Sequence, residues 1–285
     1  MNNKRNRRIA SFIVLATLII ASVYLVGCNK SNDQTKTSDQ TAALQGTLTI
    51  AGSTSVQPFS EVLAQNFMKK NPNVKVNVQG GGSAQGIAAA TNGTAQIGSS
   101  SAELKPEQKG DLVITQIAMD GIAVIVNPSN PISDLKKDDI KNIFLGNTKN
   151  WKEVGGPDAV ITVVSREEGS GTRTAFEELL LAKQPAVKTA IVQNSTGAVK
   201  TTISGDKNAI GYDSLASVDK SVKALGIDGV AANTDNVKNG TYRVSRPFLY
   251  MTKGQPQGLA KAFIDFVMSA EGQKILVDQG AISLK

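Results

Sequence analysis

Histidine is missing from the 285-residue chain, and there is a single cysteine. Without histidine the chain cannot build a Ser-His-Asp or Cys-His nucleophilic site, and it lacks the commonest ligand of zinc and non-haem iron. One cysteine allows no intramolecular disulfide and no thiolate cluster. Aromatic residues make up only 5%, whereas glycine occurs 26 times. This composition favours an α/β protein with many tight turns, and it predicts neither a metal site nor a cofactor.

The excess of positive charge lies mostly at the amino terminus. The net charge is +7, and four basic residues (Lys4, Arg5, Arg7 and Arg8) fall within the first eight positions. Without residues 1–27 the excess of basic over acidic residues falls to three. Such a balance is typical of an ordinary solvated surface, so we predict no nucleic-acid partner.

The amino terminus has the pattern of an export signal. After the basic residues, an uncharged apolar stretch runs from Ile9 to Gly27 and ends at Cys28. Its length would allow an uncleaved membrane anchor. The segment Leu25-Val26-Gly27-Cys28 resembles the lipobox of bacterial lipoproteins, in which cleavage precedes the cysteine and the cysteine carries the lipid. That resemblance implies a signal peptide at residues 1–27 and lipidation of Cys28. Both alternatives place the body of the protein on the extracytoplasmic face of the cell membrane.

Residues 28–45 are rich in Asn, Ser, Thr, Gln and Asp and show no apolar periodicity. Such a segment cannot bury enough apolar surface to offset its ordering entropy, so we predict a flexible tether. A tether holds a soluble module close to a membrane partner and raises its effective concentration there.

Hydrophobic periodicity predicts alternating strands and helices from Gly46 onward. Strands are predicted at 47–51, 74–78, 96–98, 121–126, 160–164 and 209–212. Helices are predicted at 58–70, 84–91, 137–144, 173–181 and, as one long helix, at 258–278. The β-α-β order indicates an α/β fold with a largely parallel sheet.

Three turns follow predicted strands, are rich in Gly, Ser and Thr, and open a helix: Gly52-Ser53-Thr54-Ser55, Gly82-Ser83-Ala84 and Gly169-Ser170-Gly171-Thr172. Helix N-termini offer unpaired N–H groups and partial positive charge, so together such turns can cradle an anion. Arg166, just before the third turn, can bind an oxyanion through two parallel N–H···O hydrogen bonds. The alternatives are that the turns are ordinary caps, and that Arg166 forms a surface ion pair with Glu167 or Glu168.

Several segments resemble the phosphate-binding proteins of ATP-driven phosphate importers: AGSTSVQP, VQGGGSAQGI, IGSSSAEL, SREEGSGTRTAF and FIDFVMSAEGQKI. The resemblance runs from about Gly46 to the C-terminus. It implies a two-lobed, type II periplasmic-binding-protein-like fold with the ligand in the interlobe cleft. Residues 46–125 and 231–285 would form lobe 1, and residues 126–230 would form lobe 2. The implied protein is a monomeric binder, not an enzyme, that delivers inorganic phosphate to the permease and ATPase subunits of an importer.

Residue by residue, the resemblance implies that phosphate is bound by Thr54 and Ser55, by Ser83, and by Arg166, Ser170, Gly171 and Thr172. The loop Ser99-Ser100-Ser101 departs from the family pattern. Many members have an aspartate at the position of Ser101, and this carboxylate accepts the proton of hydrogen phosphate. Because sulfate lacks that proton, a carboxylate, which can only accept hydrogen bonds, repels sulfate. The hydroxyl of Ser101 can donate or accept, so it discriminates less between phosphate and sulfate.

We expect another acidic residue to supply the missing acceptor. Asp120, which precedes the buried strand at 121–126, is the first candidate, and its alternative role is to cap a turn outside the site. Glu168 is the second candidate, although it could instead orient Arg166.

Three other functions stay open from the sequence. A binding protein for sulfate, molybdate or tungstate would use the same cradle. A surface adhesin or sensor could bind an anion without any role in transport. An enzyme would need Ser-Lys chemistry or a carboxylate metal site, and no Ser-x-x-Lys follows any of the three turns; the one at Ser133 lies in a polar loop.

Overall fold

The computed structural model describes residues 43–284. The predicted signal peptide, Cys28 and most of the predicted tether lie outside the described residues. Within residues 43–284, no helix is both long enough and apolar enough to cross a membrane.

Strands and helices alternate along most of the described chain. The strands are β1 Gly46–Gly52, β2 Val74–Gly80, β3 Ile97–Ser100, β4 Leu112–Val126, β5 Asp134–Leu135, β6 Thr162–Arg166, β7 Ile191–Gln193, β8 Ala209–Ser214, β9 Lys223–Ala224, β10 Gly226–Ile227 and β11 Ser245–Lys253. The helices are α1 Gln57–Lys70, α2 Ser83–Asn92, α3 Pro106–Lys109, α4 Lys137–Leu145, α5 Gly171–Leu180, α6 Thr196–Gly205, α7 Thr234–Lys238, α8 Gly258–Met268 and α9 Ala270–Asp278. Short 3₁₀ helices lie at Trp151–Val154 and Leu215–Ser217.

Two groups of parallel strands are joined by two long antiparallel strands. The strand order is β2-β1-β3-β11-β4-β8-β6-β7. β1 pairs in parallel with β2 and β3, and β6 pairs in parallel with β7 and β8. β4 pairs antiparallel with β11 from Leu112 to Gly121 and with β8 from Ile122 to Val126. The α/β class is therefore confirmed, but the sheet is mixed rather than largely parallel.

Two main hydrophobic clusters lie along this sheet. One packs α1, α8 and α9 on β1, β4 and β11 and includes Phe59, Phe67 and Phe263. The other packs α4 and α5 on β4 and β8, and in it Phe176 stacks on Tyr212 with ring centroids 3.9 Å apart. Large side chains of this kind contribute roughly 1.5–3 kcal/mol each when fully buried.

The two long strands pass from one cluster to the other. On β4, Ala118 belongs to the first cluster and Ile122 to the second. Near the start of β11, Val244 belongs to the second cluster and Phe248 to the first. The predicted lobe boundaries, at 125/126 and 230/231, stay a prediction.

The prediction of one long helix at 258–278 is wrong. α8 ends at Met268 and α9 begins at Ala270, because Ser269 adopts an extended conformation with ψ of 163°. The hydroxyl of Ser269 accepts a hydrogen bond from the N–H of Gly272 at 3.2 Å, so Ser269 caps α9. Both helices keep their apolar faces on the core, which is why the periodicity continues across the break.

Candidate functional site

The three predicted turns meet in the structure. Each opens a helix, namely α1, α2 and α5. Their hydroxyl-bearing residues are buried, except for the half-buried Thr54. The hydroxyl oxygens of Ser55 and Thr172, which are 117 positions apart in sequence, lie 2.8 Å from each other. The N–H of Ser101 donates to the hydroxyl of Ser83 at 3.1 Å, so the loop at 99–101 joins the same group.

Gly171 makes this close approach possible. A β-carbon at this position would lie 2.2 Å from the hydroxyl oxygen of Ser83 and 2.8 Å from that of Ser101. Nearby, the N–H of Ala84 donates to the carbonyl of Gly169 at 3.0 Å. The second and third turns are therefore in direct contact, and only glycine fits between them.

Ser170 has a structural task within the third turn. Its hydroxyl accepts a hydrogen bond from the N–H of Arg173 at 3.2 Å and so caps α5. The N–H groups of Gly171 and Thr172 belong to the first turn of this helix, where backbone donors have no intrahelical partner. The turn thus presents backbone donors and the Thr172 hydroxyl toward the group of buried hydroxyls.

A fourth helix start, which the sequence analysis missed, completes the cradle. Thr196 begins α6, and its hydroxyl oxygen lies 3.1 Å from that of Ser55 and 3.2 Å from that of Thr54. Ser195 caps the helix by accepting from the N–H of Ala198 at 3.2 Å. The Ser-Thr-Gly sequence after a short strand was the available signal, because it repeats the composition of the other turns.

Arg166 faces the cradle from the end of β6, and its side chain is only 1% exposed. Its Nε and Nη2 donate to the two carboxylate oxygens of Glu167 at 2.9 and 2.8 Å. Nη2 also donates to Thr54 at 3.2 Å and Nη1 to Thr196 at 3.4 Å. Arg166 is therefore not a surface residue, and Glu167 orients it. Glu168 lines a cavity of about 500 Å³ together with Ser83, Ser170 and Gly171.

A second buried arginine, Arg246 on β11, was not predicted. Its Nη1 donates to the Thr172 hydroxyl at 2.7 Å and to the Ser101 carbonyl at 3.1 Å. Its Nη2 donates to Oδ2 of Asp120 at 3.1 Å. β11 was not recognised in the sequence, so nothing there indicated that Arg246 would pair with Asp120 across the sheet.

Asp120 lies inside β4 and caps no turn. Its Oδ1 has no hydrogen-bond partner in the described part of the chain. Burial raises the pKa of Asp120, and the neighbouring Arg246 opposes this rise. Asp120 therefore contacts Arg246, and Arg246 in turn contacts Thr172 and Ser101 of the cradle. The role of Asp120 as a proton acceptor stays a prediction.

The cradle hydroxyls are oriented as donors. An oxygen that already accepts a hydrogen bond keeps its proton for another partner. Several of them accept from protein donors: Ser83 from the N–H of Ser101, Ser101 from the hydroxyl of Ser53, Thr172 from Arg246, and both Thr54 and Thr196 from Arg166. With two guanidinium groups and four helix starts, the arrangement is suited to hold an oxyanion. Among residues 43–284 no group of His, Cys, Asp and Glu side chains could hold a metal ion.

Comparison with known proteins gives consistent matches over nearly the whole chain. Residues 37–271 match the family model described as the PBP superfamily domain. The "Phosphate-binding protein PstS" of Bacillus subtilis is 37% identical, covering 98% of this chain and 94% of its own. The protein of the same name from Borreliella burgdorferi is 30% identical, covering 84% and 90%.

Solved structures show the same similarity. A Clostridium perfringens protein, assigned as a phosphate ABC transporter substrate-binding protein and solved with bound phosphate, matches with a TM-score of 0.81 and 43% identity. That match covers 84% of this chain and all of the other. An ABC-type phosphate transport receptor from Vibrio cholerae matches with a TM-score of 0.69 and 38% identity, covering 82% and 99%.

Proposed function

The chain belongs to the PBP superfamily and, within it, to the phosphate-binding proteins, and from this membership we propose that it captures inorganic phosphate for an ABC importer. The α/β, type II periplasmic-binding-protein fold expected from the sequence is confirmed by the structural matches. The observation that carries the proposal is the convergence of four helix starts and two buried arginines on one group of donor hydroxyls.

The donors can offset the cost of removing an anion from water. A desolvated phosphate is unfavourable unless its oxygens are fully hydrogen-bonded. Each charge-assisted hydrogen bond contributes about 1.5–3 kcal/mol. A handful of such bonds leaves a net affinity in the micromolar range or tighter, about −8 kcal/mol or better. The proposed ligands are Thr54, Ser55, Ser83, Ser101, Asp120, Arg166, Ser170, Gly171 and Thr172, to which we add Thr196 and Arg246.

We propose that the anion is clamped between two lobes formed by 46–125 with 231–285 and by 126–230. The hydrogen bond from Ala84 to Gly169 supports this, because it joins a turn of the first proposed lobe to a turn of the second. Closure would bring the full donor set around the anion and exclude water. The closed form is then the one that the permease and ATPase subunits would recognise.

The proposed location is the extracytoplasmic face of the cell membrane. Removal of residues 1–27 and lipidation of Cys28 would anchor the chain, and the tether at 28–45 would hold the binding module near its importer as a monomer. These features lie largely outside the described residues and rest on the lipobox resemblance.

We propose binding rather than catalysis. In the described part of the chain, each cradle hydroxyl contacts another hydroxyl, a backbone group or an arginine, whereas a nucleophilic hydroxyl needs a general base beside it. A second candidate function, binding of sulfate or molybdate, is favoured by Ser101 in place of an acid and by the donor orientation of the hydroxyls.

Calorimetric titration of the purified chain, stripped of bound anion, distinguishes the two candidates. Tight one-to-one binding of phosphate with weak binding of sulfate and molybdate supports phosphate capture. The reverse order supports the second candidate, and no binding of any oxyanion refutes both. Thr172→Val should weaken binding about ten-fold or more, because it removes a hydroxyl between Arg246 and Ser55. Thr174→Val, two residues further along α5, is the matched control.

A further inference from the structure

Asp213 is a buried carboxylate with no evident structural task. It lies in β8, a strand whose residues are all buried, and it is only 2% exposed. Its Oδ1 accepts a hydrogen bond from the N–H of Ser214 at 2.7 Å. Its Oδ2 has no hydrogen-bond partner in the described part of the chain, because the neighbouring Ser217 hydroxyl donates to the Ser214 carbonyl at 2.7 Å. A buried carboxylate oxygen without a donor is costly and therefore calls for an explanation such as a bound ligand.

The position of Asp213 places it beside the cradle. Val163 of β6 pairs in parallel with Ile210 of β8, and three residues further on the two strands carry Arg166 and Asp213. Both therefore lie at the carboxyl ends of parallel strands, where α/β sheets bind ligands.

The other charged groups of the site already have counter-ions. Arg166 is paired with Glu167, and Arg246 is paired with Asp120. An ionised Asp213 therefore makes the site net negative, and it opposes a ligand that brings only negative charge. A ligand that also brings a proton can donate it to Oδ2, and so relieves this repulsion.

We propose that Asp213 accepts the proton of bound hydrogen phosphate and so supplies the discrimination against sulfate that Ser101 does not. The inference rests on the proposed function and assigns its specificity to one residue. It requires a hydrogen bond from the P–OH group to the carboxylate, and no covalent bond forms or breaks. The other cradle groups donate, so this carboxylate provides the acceptor that a protonated oxyanion needs.

The electrostatics of Asp213 fit this role. Burial raises the pKa of Asp213 to about 7, against the lowering effects of the Ser214 N–H, of the nearby Ser217 hydroxyl and of the charges on Arg246 and Arg166. Near neutral pH the carboxylate and the phosphate can therefore share one proton. Sulfate carries none, so it can bind well only when Asp213 itself takes up a proton.

Charged groups near Asp213 come from three strands. Arg166 lies on β6, Arg246 on β11 and Asp120 on β4. Two helices pack on β8. Lys200 of α6 forms an ion pair with Asp219, and Arg173 of α5 forms one with Glu177. The arginines are not expected to titrate near neutrality. A pH dependence of selectivity around pH 7 would therefore report on Asp213, with Asp120 as the competing group.

The test is titration of the full chain with phosphate and with sulfate at pH 6 and pH 8. Sulfate should bind the unmodified protein more tightly at pH 6 than at pH 8. Asp213→Asn should remove that difference, and at pH 8 it should raise the sulfate affinity and lower the phosphate affinity, about ten-fold each. Asp120→Asn should keep the pH dependence, and so should Asp235→Asn, which changes an exposed carboxylate.

A second measurement needs no variant. Titrations in buffers of different ionisation enthalpy should show uptake of about one proton on sulfate binding at pH 8 and almost none on phosphate binding. If the protein prefers phosphate but takes up no proton with sulfate, or if Asp120→Asn rather than Asp213→Asn removes the preference, the assignment of Asp213 is wrong. If the unmodified protein binds no phosphate at all, the proposed function itself fails.

Discussion

Replacement of Arg246 by glutamine tests the buried ion pair and the cradle together. Arg246 is 2% exposed and connects three groups: the Asp120 carboxylate, the Ser101 carbonyl and the Thr172 hydroxyl. Glutamine removes the charge and cannot reach all three partners at once. Because Asp120 is buried as well, the variant leaves a carboxylate without its counter-ion.

Two effects of known size should follow. Loss of one partner of a buried ion pair costs about 3–5 kcal/mol of folding stability. Phosphate binding should weaken about ten-fold to a hundred-fold, because a charge-assisted donor to Thr172 and Ser101 is lost and the Thr172 hydroxyl is no longer fixed as a donor. The double variant Asp120→Asn with Arg246→Gln should be more stable than Arg246→Gln alone, since it removes the unpaired charge.

Urea unfolding and phosphate titration of the same samples measure both effects. Arg243→Gln is the matched control, because Arg243 lies three residues earlier in the chain and is exposed. The control should change stability by no more than about 0.5 kcal/mol. If Arg246→Gln unfolds at the same urea concentration as the control and binds phosphate equally well, the role given to Arg246 is refuted.

Three further predictions concern other parts of the molecule. Gly171→Ala should weaken phosphate binding strongly, because the added β-carbon would lie 2.2 Å from the Ser83 hydroxyl oxygen. Gly205→Ala, which adds a β-carbon in open space, should leave the phosphate affinity unchanged. Phosphate titration of both variants measures the difference. Asp213 binds a proton more tightly in the folded protein than in the unfolded chain, so its contribution to stability should be present at low pH and be lost as pH rises from about 4 to about 7. Thermal unfolding should show no such loss in Asp213→Asn, and an equal loss in both proteins would contradict the prediction. Cys28→Ser should release the protein into the medium, and continued labelling of the variant by fatty acid would contradict lipidation at this residue.

Local sequence patterns predicted the elements that build most of the cradle. Strand-turn-helix units rich in Gly, Ser and Thr have a local cause, because a helix start needs unpaired N–H groups and small residues. The boundaries of α1 and α2 fell within one residue of those predicted. The family resemblance then indicated that the three turns would meet, which local patterns alone do not determine.

Long-range pairing explains what the sequence did not reveal. Asp120 and Arg246 are 126 positions apart and meet only because β4 and β11 pair in a particular register. Asp213 lies in a segment that resembles any buried strand, and its meaning depends on the neighbouring Arg166. The break at Ser269 was missed because apolar periodicity continues through two helices that share one core.

A crystal structure of the full chain soaked or grown with phosphate, at a pH near 7, would show where the anion binds. We expect one tetrahedral anion within hydrogen-bond distance of Thr54, Ser55, Ser83 and Thr172, with the Arg166 guanidinium beside it. Phosphate bound at any other place, with these hydroxyls still bonded only to each other, would contradict this expectation.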